Sequence, residues 1–350
     1  MITISLCMIV KNEESVLSRC LDTVADIMDE IIIVDTGSTD KTKEIAARYT
    51  DKIYDYTWIN DFADARNYSF SKATMDYIYA PDADELLDEV NRERFRVLKA
   101  CLLPEIEIVQ MKYVTELSND AVMNAKSEYR PKLFKRQRSF TWIDPIHETV
   151  RLNPVVFDSD IEIIHRPIAT HEKRDFSIFR QEIAKNGMLS DKLRMMYARE
   201  LLKLGTEEDL CAARDYFLGI YNDNPISDAG KEAACVLARL ARKKKDIAGL
   251  MKYALKDMLE KPCSEICYEL GSFYEEINDY DEAIVWYMNA AYETESILDI
   301  HAGGDLAIAG IVSCYEKLIL AENNESKLAL YKDNLEYYRA ELSAWSVPEE

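Results

Sequence analysis

The stretch YIYAPDADELLD, residues 77–88, sets four carboxylates, Asp82, Asp84, Glu85 and Asp88, within seven consecutive positions. Two like charges 4 Å apart repel by about 1 kcal/mol even in bulk water, and by more near a protein surface. The cluster therefore calls for a cation, a basic neighbour or full hydration. On an extended segment Asp82 and Asp84 point the same way while Ala83 faces the other side. A hard divalent ion takes oxygen ligands of this kind. The apolar run before them reads as a buried strand, so the carboxylates arrive at its carboxyl end.

The elements that must position this cluster are legible as short β-branched and apolar runs. ITISLCMIV, EIIIVD, KIYDY, YIYAP and EIEIVQMKYV read as strands. Leu17, Leu21 and Val24 predict a helix over Glu14 to Ile27 between the first two. A second helix, Lys41 to Tyr49, follows TGSTD, with Ser38, Thr39 or Asp40 as its cap. Strand and helix in alternation predict a parallel sheet with helices on its faces. Ligands in such sheets sit at the carboxyl ends of strands, where VDTGSTD and PDADE both fall. Gly37 permits a tight turn there.

From about residue 175 the pattern becomes helical, rich in Ala, Leu, Tyr, Glu and Lys. In EICYELGSFYEEINDYDEAIVWYMNAA, Leu270, Gly271 and Tyr274 are followed by Ala283, Tyr287 and Ala290. This spacing resembles a tetratricopeptide helix–turn–helix. Gly271, Ala283 and Ala290 would let two helices approach, and Tyr274 and Tyr287 would fill the gap. An earlier stretch places Ala213, Phe217 and Pro225 at corresponding positions. Stacked helix pairs offer a concave surface for a peptide or protein; the alternative is a bundle that braces the first domain or forms a homodimer.

The 350 residues allow two domains, 1–172 and 173–350. The net charge of −21, from 43 basic and 64 acidic residues, lacks the basic footprint of a nucleic-acid binder. No apolar run approaches the roughly 20 residues of a membrane span. The start lacks the basic region and cleavage site of a signal peptide. The eight cysteines are scattered; Cys263 and Cys267 sit one helical turn apart and read as small core residues. A reduced, cytoplasmic protein is the expectation.

ISLCMIVKNEE, EIIIVDTGSTDKT, DFADARN and PDADELL, in that order, resemble a family 2 glycosyltransferase of GT-A fold. WIDPIHE and the helical repeats narrow the resemblance to bacterial members that carry tetratricopeptide repeats, including bacteriocin S-glycosyltransferases that modify a peptide cysteine. The resemblance implies a UDP-sugar donor and a divalent cation, Mn²⁺ or Mg²⁺. Asp84 would bind the metal, with Asp82 near the ribose or a metal-bound water. Asp35 or Thr36 would meet the uracil, flanked by Val10 and the turn that runs to Glu14. Arg66 would contact the donor, with an ion pair to Asp64 or Asp61 as its structural alternative; Asn67 would only hold the loop. Lys132 stands where relatives carry a phosphate-binding arginine.

Glu148 is the expected general base by family position, with Asp144 in reserve; the other His–Glu pair is His171–Glu172. His165 or His147 would add a metal or phosphate contact, the alternative being a buried histidine bonded to a backbone carbonyl. Trp142 would pack, or stack on a sugar. The reading that follows is metal-dependent, inverting transfer of a sugar to a Cys, Ser or Thr side chain of a peptide or protein held by the repeats. A polysaccharide or lipid-linked acceptor is the first alternative, and a non-catalytic peptide-binding scaffold the second.

Overall fold

A computed structural model describes residues 1–115, 127–150, 154–166, 172–258 and 261–347. The chain divides into two compact units, Met1–His171 and Glu172–Pro348.

The first unit is built on an eight-stranded sheet. Its elements run β1 (Ile4–Val10), α1 (Leu17–Val24), β2 (Glu30–Asp35), α2 (Thr42–Ala46), β3 (Ile53–Asp55), α3 (Phe62–Phe70), β4 (Tyr77–Tyr79), β5 (Glu85–Leu86), α4 (Glu89–Cys101), β6 (Ile108–Thr115), β7 (Ser127–Lys135) and β10 (Val156–His165). A separate two-stranded hairpin pairs β8 (Trp142–Ile143) with β9 (Thr149–Val150). The sheet order is β3-β2-β1-β4-β7-β6-β10-β5. Pairs β1/β2, β2/β3, β1/β4 and β6/β10 are parallel, whereas β7 runs antiparallel to both neighbours and β5 antiparallel to β10. The GT-A architecture expected from the sequence is therefore present, a Rossmann-like parallel half extended by a mixed half.

The central strands are apolar on both faces because both are covered. Leu6, Met8, Ile33 and Tyr79 pack on one side with Leu17, Leu21 and Phe95. Cys7, Ile32, Val34 and Ile78 pack on the other. The β1–β2 register sets Val10 opposite Asp35, so both strands end level. The first helix is shorter than the spacing predicts, since a 3₁₀ turn over Ala25–Ile27 replaces its last turn. In α2 the expected cap acts from two residues back: Asp40 accepts from the Thr42 N–H at 3.0 Å.

Strand β7 is the element that the apolar pattern hides. SEYRPKLFK alternates poorly and contains Pro131. Its pairing with β6 slips between Val109 and Gln110, so that Leu133 faces the first and Pro131 the second. Lys132 is the extra residue of this bulge, where proline is tolerated and a side chain is re-aimed.

The second unit is helical: α5 (Glu172–Asn186), α6 (Asp191–Leu204), α7 (Glu207–Asp223), α8 (Asp228–Lys243), α9 (Ile247–Met258), α10 (Ser264–Glu276), α11 (Tyr280–Met288), α12 (Asp305–Ala321) and α13 (Glu325–Ala344). The α10–α11 pair carries the repeat signature. A Cβ on Gly271 would lie 2.6 Å from the Tyr287 ring, and one on Gly310 of α12 would lie 2.5 Å from that ring. Tyr287 thus fills the gap between three helices, and Ala283 and Ala290 are fully buried beside it. Cys263 and Cys267 are buried, and the thiol nearest Cys263 belongs to Cys235, 3.6 Å away.

Candidate active site

The loops after β1 and β2 are stitched together side chain to backbone. The Asn12 N–H donates to Ser38 Oγ at 2.8 Å, and the Thr39 N–H to Asn12 Oδ1 at 2.8 Å. Glu13 N–H donates to Thr42 Oγ1 at 2.7 Å. Glu14 Oε2 accepts from Lys41 N–H at 3.1 Å, so this residue knits the loops. Gly37 turns with φ +103°, a conformation that side chains rarely adopt. Asp35, 1 % exposed, accepts from the Gly37 and Ser38 N–H groups through Oδ2. Its buried Oδ1 has no partner among the described residues. The Thr36 hydroxyl, in contrast, donates to the Val10 carbonyl at 3.1 Å. Of the two, Asp35 keeps an acceptor in reserve.

At the end of β4 the acidic cluster meets the protein's own cations. Lys132 Nζ lies 2.5 Å from Glu85 Oε1 and 3.7 Å from Asp82 Oδ2. Arg66 Nη2 lies 3.6 Å from Asp82 Oδ1. Burial alone would push the Asp82 carboxyl up, but Lys132, Arg66 and Arg130 outweigh it and hold it well below the usual carboxylate range. Glu85 goes the other way: burial pushes it up to about 7 although Lys132 opposes this. Its Oε2 is buried without a partner among the described residues. Lys132 is 5 % exposed and committed to these two carboxylates, which places it behind the loop as an internal counter-ion.

Asp84 has a different partner. Its Oδ2 lies 3.1 Å from His165 Nε2. The cause is non-local: β5 pairs antiparallel with the end of β10, setting His165 opposite Glu85, and the Arg166 N–H donates to the Asp84 carbonyl at 3.0 Å. The His165 ring also lies 5.1 Å from that of Tyr113. Carboxylate oxygens suit Mn²⁺ and Mg²⁺, and a neutral imidazole nitrogen is a common metal ligand, so these residues fit a divalent cation.

The third component rides on α3. Asp61 caps the helix by accepting from the Asp64 N–H at 3.0 Å. Asn67 then clamps the β8–β9 hairpin, donating to the Trp142 carbonyl at 3.0 Å and accepting from the Trp142 N–H at 2.8 Å. Asp144 and His147 turn that hairpin with φ 73° and 49°, a left-handed conformation that costs a non-glycine residue about 1 kcal/mol. The hairpin delivers Glu148 to Arg66, whose Nε and Nη2 lie 2.8 and 2.6 Å from Glu148 Oε1. The expected alternative, an Arg66 pair with Asp61 or Asp64, gives way to this longer-range one, because Asp61 is the helix cap and Asp64 accepts from the Tyr56 hydroxyl. Trp142 is a packing residue, buried against Phe70 and Phe134 under the Arg66 guanidinium. His171 lies outside the described residues.

Residues 5–147 match the model of glycosyl transferase family 2. They are a family 2 glycosyltransferase domain. The chain is 27 % identical over 218 residues to the SPbeta prophage-derived glycosyltransferase SunS of Bacillus subtilis, covering 59 % of this chain and 51 % of SunS. It is 47 % identical over 87 residues to a TPR repeat-containing protein of Synechococcus elongatus, covering 25 % and 22 % respectively. The chain thus spans about half the length of these curated relatives or less. Among solved structures, glucosyl-3-phosphoglycerate synthase from Mycobacterium tuberculosis in complex with Mn²⁺, UDP-glucose and phosphoglyceric acid gives a TM-score of 0.40 at 16 % identity, covering 54 % of this chain and 82 % of that one. Val10, Asp35 and His165 end strands, Asp82 and Asp84 lie on the loop between β4 and β5, Arg66 on α3, Lys132 at the β7 bulge and Glu148 on the clamped hairpin. Sequence reasoning placed Glu85 in the acidic cluster but did not pair it with Lys132, and it missed Arg130. Their signal is a charged residue inside or beside a strand, which is costly unless paired.

Proposed function

We propose that the chain is a metal-dependent, inverting glycosyltransferase that moves a sugar from a UDP-sugar to a Cys, Ser or Thr side chain of a peptide or protein. The family 2 domain and the similarity to SunS support sugar transfer. The observation that carries the finer reading is the meeting of Asp84 with His165 at 3.1 Å beside an Asp82 already neutralised by Arg66 and Lys132. The protein's own cations account for Asp82 and Glu85, and leave Asp84 and His165 as the pair with donor atoms to spare. A divalent ion held there would neutralise the diphosphate as the UDP departs. Asp35 Oδ1 would accept from the uracil imide. Glu148 would take the acceptor's proton, with Asp144 on the same hairpin as the reserve. The helices of the second unit would hold the acceptor.

The test is release of UDP from a panel of UDP-sugars with Mn²⁺. Asp84→Ala, by removing a ligand without touching the Lys132–Glu85 pair, is expected to lower Mn²⁺-dependent UDP release at least a hundredfold. Unchanged release from Asp84→Ala, or from wild type under chelation, overturns the metal assignment. A sugar mass found on a co-purified peptide supports the acceptor class, and one found on lipid overturns it.

A further inference from the structure

Arg66 is shared by carboxylates from two halves of the site. Two of its N–H donors converge on one oxygen of Glu148, at 2.8 and 2.6 Å, while Nη2 also faces Asp82 Oδ1 at 3.6 Å. Its guanidinium lies 4.8 Å above the Trp142 ring, which fixes its plane. Arg66 is 9 % exposed, so solvent offers little competition for its donors. Asp82 belongs to the loop that would face the diphosphate. Glu148 belongs to the hairpin that would face the acceptor. A single side chain therefore joins the two.

We propose that Arg66 is a positioning residue that couples the half-sites: a nucleoside diphosphate bound beside Asp82 draws the Arg66 donors away from Glu148, and only then is Glu148 free to take the acceptor's proton. This rests on the glycosyltransferase reading of the site. A guanidinium presents its N–H groups in a rigid fork, so turning Nη2 toward a phosphate oxygen withdraws it from Glu148. The diphosphate offers several charged acceptor oxygens, and charge-assisted bonds of this type are the strong ones. No covalent bond changes and no proton moves in this step; hydrogen bonds are exchanged. By reciprocity, whatever the diphosphate costs the Arg66–Glu148 pair, that pair costs the diphosphate. Glu148 in the donor-free protein is thus a restraint on donor binding.

The coupling makes a prediction of unusual sign for a charge-removing change in an active site. In the full chain, titration with UDP and Mn²⁺ by calorimetry is expected to show Glu148→Gln binding about tenfold more tightly than wild type, equivalent to about 1.4 kcal/mol. The gain should vanish in the Arg66→Gln background, and Arg66→Lys, which keeps the charge but loses the fork, should show only part of it. UMP, which lacks the second phosphate, should show none. A purely structural ion pair predicts no tightening. Simple relief of charge repulsion predicts a gain that survives Arg66→Gln. Either result overturns the coupling, as does a gain with UMP. Wild type that binds no UDP with Mn²⁺ overturns the nucleotide reading itself and the coupling with it, whereas binding without the tenfold gain leaves that reading standing. A cooperative melt of the isosteric Glu148→Gln variant well above the titration temperature, even if lowered by loss of the ion pair, excludes misfolding as the cause.

Discussion

Lys132 and Arg66 relieve a carboxylate cluster that would otherwise repel itself, and they divide the labour. Lys132 is buried with Glu85 and faces Asp82 Oδ2, whereas Arg66 faces Asp82 Oδ1. Removing one member of a buried pair leaves its partner's charge stranded, at a cost of about 3–5 kcal/mol. Lys132→Met is therefore expected to lower the melting temperature of the first unit markedly. Adding Glu85→Gln should restore much of the loss, because the stranded carboxylate goes with it. The thermal melts of the two single variants, the double variant and wild type check this. Additive losses would mean that Lys132 and Glu85 are not coupled. Residue type and spacing marked Asp82 and Asp84 as carboxylates in need of a counter-charge, and the family resemblance suggested their roles. Neither suggested the pairing of Lys132 with Glu85, since nothing local marks a lysine as the bulged residue of a strand or a glutamate as its buried mate.

Among the elements, β1, β2 and β4 were legible because two covered faces demand an unbroken apolar run. Strand β7 was hidden by Pro131 and its charges, and β5, β8 and β9 have two residues each, too few to show a period. The meeting of Asp84 and His165 depends on one of these short strands, so it followed from no local pattern. A similar long-range tie anchors the opposite ends of the parallel strands. Glu30, at the start of β2, lies 2.5 Å from the Ser5 hydroxyl and 2.6 Å from Lys52 Nζ, and accepts from Thr74 N–H at 2.9 Å. Burial would raise its carboxyl, yet bonds from Lys52, Ser5 and Thr74 prevail and bring it down to about 2. A folded value below the unfolded 4.5 stabilises the native state fully above about pH 4.5. That contribution is lost as the pH falls through about 2. Glu30→Gln should cost roughly 2–3 kcal/mol at pH 7, and its melting-temperature deficit relative to wild type should shrink between pH 4.5 and pH 2. A deficit that does not change with pH would assign the loss to packing.

At the scale of the whole molecule, the residues proposed for the donor side all fall in one unit. Every residue assigned to it, from Val10 to His165, belongs to Met1–His171, which has its own sheet and its own buried core. Among the described residues no helix is long and apolar enough to cross a membrane. The second unit supplies none of the proposed donor or metal contacts, and its repeat-like helices are the part of the chain suited to a macromolecular acceptor. A protein ending at His171 is therefore expected to melt cooperatively and to bind UDP with Mn²⁺ within about threefold of the full chain, since affinity follows the contacts that remain. Slow hydrolysis of the UDP-sugar should persist, while modification of a peptide acceptor should be lost. Calorimetry with UDP and Mn²⁺ on both proteins separates the outcomes. A fall in affinity of more than tenfold in a cooperatively folded truncation would bring the second unit into the donor site, and the division of labour between sheet and helices would have to be redrawn.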